Sequence, residues 1–227
     1  YSVAYIVGDC LNSDSMEFEN HQDIAQPDYG FDFYAPQTYL DDSGRRILIA
    51  WVGLPDIDAP SVVHQWAGML SLPRDLKVQG GYLVQSALPE LKALQGEAVV
   101  VENTLELNTT SFMIEIETGA DKFEFTLANA AGENIVFSAT ETEFMLDRSK
   151  MSQLYAEEFG CVRKAPRLSV EQTIEVYVDK SVIEIFINGG KHTMTSRFFI
   201  DDLSSLSMTG EVKTVYRSMS SIKGLND

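Results

Sequence analysis

An all-β chain with a β-sandwich in its second half is the fold class this sequence predicts, on three observations. Phe112, Ile114 and Ile116 alternate with Met113, Glu115 and Glu117, and Phe123, Phe125 and Leu127 repeat that period of two beyond a polar turn at Gly119 to Asp121. Short segments of this kind recur, separated by polar turns, almost to the C-terminus. No stretch carries the apolar period of a long amphipathic helix.

Taken in order, Tyr1 to Gly8 reads as a strand with Val3, Tyr5 and Val7 on one face, followed by a polar run from Asn12 to Asn20 and a loop through His21 to Asp28. Phe33 to Thr38 reads as a short strand whose Pro36 points to an edge position or a bend. Asp41, Asp42, Ser43 and Gly44 form a hairpin signal joining it to a second strand, Arg45 to Trp51. Gly53 to Pro60 reads as a surface loop, Trp66 to Leu72 as a strand, and Leu76 to Val78 pairs with Tyr82 to Gln85 across Gly80 and Gly81. Pro89 to Leu94 is a short helical turn, inside a linker placed at residues 87–96 where the periodicity fades.

Beyond the linker, residues 97–227 hold the sandwich. After the first two alternating segments, strands are predicted at Asn134 to Glu141, Glu143 to Leu146, Ser169 to Val178, Ser181 to Ile187, Thr195 to Phe199, Leu206 to Thr209 and Val212 to Ser218. Val182 to Ile187 is apolar on both faces except at Glu184, which predicts an inner strand covered on both sides.

The 227 residues, 44% hydrophobic, suffice for a sizeable core. A net charge of -17, from 34 acidic against 17 basic residues, argues against nucleic acid or an anionic membrane as partner. No apolar run reaches bilayer length and no basic leader precedes an apolar segment. Cys10 and Cys161 favour a reduced, cytoplasmic setting, with one long-range disulfide left open; they and the scattered His21, His64 and His192 offer no metal-ligand spacing. Neither a metal nor a cofactor is expected. The chain starts at once in a strand pattern and reads as the later part of something longer.

The chemistry concentrates between Asp28 and Trp51. Asp28, Tyr29, Asp32 and Tyr34 put two carboxylates and two aromatics at the entrance to a sheet, which suits a sugar: a carboxylate holds a ring hydroxyl while an aromatic covers the apolar face of the ring.

Asp32-Phe33-Tyr34-Ala35-Pro36-Gln37-Thr38, with Gly44 through Trp51, resembles the late propeller region of the glycoside hydrolase family of invertases, fructanases and bacterial sucrose-6-phosphate hydrolases. Trp66-Ala67-Gly68-Met69 through Leu72-Pro73-Arg74-Asp75-Leu76 resembles that family's exit from the propeller, and Asp179 through Gly190, with Thr193 to Arg197, its sandwich hairpin. The resemblance covers essentially the whole chain. It implies that residues 1–86 close a five-bladed β-propeller and that a β-sandwich follows.

It further implies retaining hydrolysis of a β-fructofuranosyl bond, in sucrose or sucrose 6-phosphate, by an Asp nucleophile and a Glu acid/base. Retention needs two carboxyl groups about 5 to 5.5 Å apart. The family's Asn-Asp-Pro, Arg-Asp-Pro and Glu-Cys motifs are all absent here, so no catalytic residue is assigned to this chain and the missing N-terminal blades are expected partners.

The resemblance makes Asp32, Tyr34 and Trp51 the candidates for substrate binding or its immediate support. Each has a plainer role: turn cap for Asp32, core tyrosine for Tyr34, blade core for Trp51. Arg45 and Arg46 are read as balancing Asp41 and Asp42 rather than holding a phosphate, and Glu184 as a sheet or domain anchor. A non-catalytic carbohydrate-binding or structural sandwich is the alternative function. Uncovered blade edges make self-association into a homo-oligomer an expectation as well.

Overall fold

The computed structural model describes residues 2–222. Its N-terminal part opens with a two-stranded hairpin, β1 (Cys10–Leu11) and β2 (Phe18–Glu19), and continues into a four-stranded antiparallel meander: β3 (Tyr34–Leu40), β4 (Arg46–Trp51), β5 (Arg74–Gln79) and β6 (Tyr82–Ala87). A four-stranded meander is the unit of a propeller blade. Asp41 makes the β3–β4 turn, its Oδ1 accepting from the backbone N–H groups of Ser43 and Arg45 and its Oδ2 from Arg45 Nε at 2.7 Å. Pro36 lies on the edge strand, where the register slips between Tyr34 and Gln37, so the missing donor breaks no inner ladder.

Two strand expectations are corrected. Among residues 2–8 only Tyr5 bridges, to Ala25, and in the 66–72 segment only Leu70 bridges, to Trp51; alternation alone makes no strand where no continuous partner runs alongside. Residue 1 lies outside the described residues. The loop after β4 is not purely superficial: Leu54 and Ala59 are buried against Tyr155 and Ala156 of the sandwich, and the Tyr155 hydroxyl accepts from Leu54 N at 3.1 Å.

A 3-10 turn at Pro89–Leu94 leads to the sandwich. Its strands are β7 (Val99–Val101), β8 (Thr104–Glu106), β9 (Ser111–Thr118), β10 (Phe123–Ala128), β11 (Asn134–Ala139), β12 (Glu143–Lys150), β13 (Val162–Pro166), β14 (Gln172–Asp179), β15 (Val182–Ile187), β16 (His192–Arg197), β17 (Ser205–Thr209) and β18 (Val212–Ser218). One sheet runs β13-β12-β11-β10-β17-β8 and the other β16-β15-β14-β9-β18-β7. The short β7, β8 and β13 were not anticipated, being too brief or too polar to show a period.

Inward residues of both sheets meet in one core, with Phe112, Phe125, Phe137 and Phe144 fully buried. Truncating one such phenylalanine to alanine costs about 3 to 5 kcal/mol. The sequence is apolar on both faces of β15 because both faces are covered. Ile183, Ile185 and Ile187 enter the sandwich core, whereas Phe186 packs with Met113 and Tyr177 against Leu72, Ala87 and Leu91.

Candidate functional site

Tyr34 opens β3 directly opposite Trp51 at the end of β4, so pairing register alone brings the two rings together. Their centroids are 6.5 Å apart at 59°. Both are half-buried. The Trp51 indole is enclosed by Gly53 and Gly68, where an added Cβ would approach it to 2.6 and 3.2 Å. Two of the three candidate residues therefore share one end of the blade.

Asp32 is placed differently. Residues 29–32 run beside the edge strand β16, with Tyr29 N donating to Thr193 O and Phe31 N to Thr195 O, each at 2.8 Å. This covers a strand edge that would otherwise be open. The Asp32 carboxylate, closed off from solvent, accepts from Arg148 Nη1 at 2.6 Å and Arg197 N at 2.7 Å. Burial pushes its pKa up, against the opposing pull of the Arg148 guanidinium. Phe31 lies under that guanidinium, 3.8 Å from its central carbon.

A second buried cluster sits four residues earlier. Asp28 Oδ2 accepts from Thr195 Oγ1 at 2.7 Å, Thr193 Oγ1 at 2.9 Å and Arg74 Nη1 at 3.2 Å; Oδ1 accepts from the N–H groups of Gly30 and Thr195, each at 2.8 Å. Arg74, from β5, also gives Nη2 to Glu184 at 2.7 Å, and Glu184 Oε1 accepts from Leu72 N at 2.6 Å. Burial raises the Glu184 pKa, opposed chiefly by Arg74. Glu184 is thus the domain anchor that its hairpin position predicted.

These contacts need close backbone approach. A Cβ on Gly30 would lie 2.1 Å from Thr195 O, and one on Gly190 1.9 Å from Gln85 O, where Gln85 N donates to Gly190 O at 2.9 Å. Glycine is the one residue without that atom. Sequence reasoning noticed Gly190 only as a turn residue. It also missed Arg74 and Arg148, whose ion-pair partners lie far off in sequence, and Arg197, which is buried with no ion pair among the described residues.

Arg45 pairs with Asp41 and Glu90, as the charge-balancing reading expected for Asp41. Cys10 and Cys161 are both free. Among the described residues no cluster of three His, Cys, Asp or Glu side chains has metal-binding geometry, and no helix is long and apolar enough to cross a membrane. A groove of about 810 Å³ is lined wholly by sandwich residues including Glu117, Glu171 and Glu211, and excludes Tyr34 and Trp51. We place the candidate site at the Tyr34–Trp51 pair, where two of the three residues singled out from the sequence meet.

The chain is similar to several known proteins. The N-terminal domain of glycosyl hydrolases family 32 matches residues 1–87 and the C-terminal domain residues 83–221. A sucrose-6-phosphate hydrolase of Vibrio alginolyticus is 66% identical over 225 residues, 99% of this chain and 46% of that protein. One from Bacillus subtilis is 31% identical, across 88% of this chain and 42% of its own length. The solved sucrose-6-phosphate hydrolase of Lactobacillus gasseri superposes with a TM-score of 0.87 at 24% identity, covering 96% of this chain and 48% of that one, and so has the same fold. The chain spans about half the length of the curated relatives it matches. Matched over residues 1–221 by the two domains together, the chain belongs to glycosyl hydrolase family 32.

Proposed function

We propose that this chain is the C-terminal portion of a retaining β-fructofuranosidase that hydrolyses sucrose or sucrose 6-phosphate. The observation that carries the reading is the 66% identity to a sucrose-6-phosphate hydrolase over nearly the whole chain. Residues 1–86 close the propeller, residues 87–96 link, and residues 97–227 form the accessory sandwich. Tyr34 and Trp51 line one side of the sugar pocket. Asp32 supports them from behind, since its ion pair fixes the segment that delivers Tyr34 to β3.

The carboxylate pair that breaks the bond comes from upstream blades, and the chain alone is inactive. Assembly with those blades covers Ile6, Leu11, Met16 and Ile24, large apolar side chains exposed in the first 24 residues. The setting is cytoplasmic, a reading supported by the two unbridged cysteines. The test is fructose release from sucrose 6-phosphate by this chain alone and after mixing with a polypeptide carrying the upstream blades. Activity is expected only in the mixture; sustained turnover by the chain alone would overturn the reading.

A further inference from the structure

Beside the candidate sugar pocket, across the Trp66-Ala67-Gly68 segment, lies a second groove of about 640 Å³. It sits between the loop that follows β4 and the tip of the β14–β15 hairpin. On one side of the segment Gly68 backs the Trp51 indole; on the other, Ala67 O accepts from Arg197 Nη1 at 3.0 Å. Trp66 itself lines the groove and is 37% exposed, enough to offer a ring face.

The groove does not share the acidity of the chain, since Lys180 stands against Asp201 in its lining. Arg197 is fully buried beneath Trp66, its guanidinium carbon 5.2 Å from the ring centre. Among the described residues, neither its side chain nor that of Lys180 has a carboxylate within ion-pair distance. Lys180 stands exposed at the hairpin tip and lines the groove, with His64 as a further basic group and Asp201 as the acidic one.

Two hydroxyls stand against the Arg197 guanidinium. Arg197 Nη2 donates to Ser61 Oγ at 3.1 Å and Ser181 Oγ at 3.2 Å, and both serines line the groove. A hydroxyl that accepts from a guanidinium becomes a stronger donor through its own hydrogen. Ser181 turns that hydrogen toward the Met69 sulfur, a weak acceptor at 3.7 Å, and Ser61 has no acceptor for its own among the described residues. An unpaired ammonium, a polarised hydroxyl and a flat indole together suit an anion carried on a sugar ring.

We infer that this groove binds a hexose phosphate, its ring against Trp66 and its phosphate against Lys180 and Ser61. Binding there involves no bond making. Calorimetric titration of the chain with glucose 6-phosphate, glucose and inorganic phosphate tests it directly. Saturable binding of glucose 6-phosphate is expected, tighter than either component alone. Lys180→Asn keeps the hairpin, because Lys180 has φ 55°, a conformation asparagine tolerates. It should weaken glucose 6-phosphate binding about tenfold or more without changing that of glucose; Lys180→Arg should restore it, and Trp66→Ala should weaken both sugars.

Absence of binding, equal affinity for inorganic phosphate and glucose 6-phosphate, or an unchanged affinity in Lys180→Asn would each overturn the assignment. The measurement involves no turnover, so its failure leaves the fructosidase reading standing. Failure of that reading likewise leaves the groove in place.

Discussion

Arg74 Nη2 lies 2.7 Å from Glu184 Oε2, and both side chains are all but sealed from water although 110 residues separate them in sequence. Blade strand β5 supplies the cation and sandwich strand β15 the anion. The pair therefore holds the two parts of the chain together, with Asp28 as a second carboxylate on the same guanidinium. The pair's net worth is small, since desolvation offsets much of the attraction; removing one member is what costs.

Arg74→Met should leave Asp28 and Glu184 facing each other without a cation. A loss of about 3 to 5 kcal/mol is expected in urea unfolding. Adding Glu184→Leu should recover part of it. Equal stability of Arg74→Met and wild type would show that the seam does not depend on this pair.

Gly190 and Gly189 are adjacent and both have positive φ, 87° and 67°, yet only Gly190 is crowded. Gly189→Ala should cost about 1 kcal/mol of backbone strain. Gly190→Ala must in addition displace the Gln85 carbonyl, and should cost several times as much. Thermal melts of the two variants read the difference; similar losses would remove the close approach as its cause.

His192 is buried against Tyr29, with ring centroids 5.2 Å apart, and burial, reinforced by the neighbouring Lys191, lowers its pKa. A histidine that resists protonation in the fold but not in the unfolded chain favours the fold above its ordinary pKa. Stability should fall as pH drops from about 6.5 toward the lowered folded value, at most by about 1.4 kcal/mol for each step of one in pH. His192→Gln should flatten the stability profile across that window, as measured by denaturant unfolding at a series of pH values. A profile of the same slope in the variant would take His192 out of the account.

On the proposed function, Tyr34→Phe and Trp51→Ala should raise KM for sucrose 6-phosphate once the upstream blades are supplied, by about tenfold where a hydroxyl contact is lost. Asp32→Asn should act first on stability, because its carboxylate touches Arg148 and Arg197 rather than open space. Steady-state kinetics beside melting curves separate the two. An unchanged KM in both aromatic variants would remove the pair from the pocket.

The sequence by itself determined the longer strands of the sandwich and both blade hairpins. Alternation along Phe112 to Ile116 and Phe123 to Leu127, and turn residues at Asp41 to Gly44 and at Gly80-Gly81, are local signals that need no distant partner. The doubly apolar Val182 to Ile187 even announced that something covers its outer face. Tertiary structure alone decided what that cover is and where Asp32 goes. Asp32 and Tyr34, two apart, both stand at the entrance to a sheet in the sequence reading; docking of residues 29–32 along β16 sends the carboxylate to Arg148, 116 residues away, and leaves the tyrosine beside Trp51. A buried charge is stable only where a counter-charge and donors reach it, and the order of residues along a chain does not carry that distance.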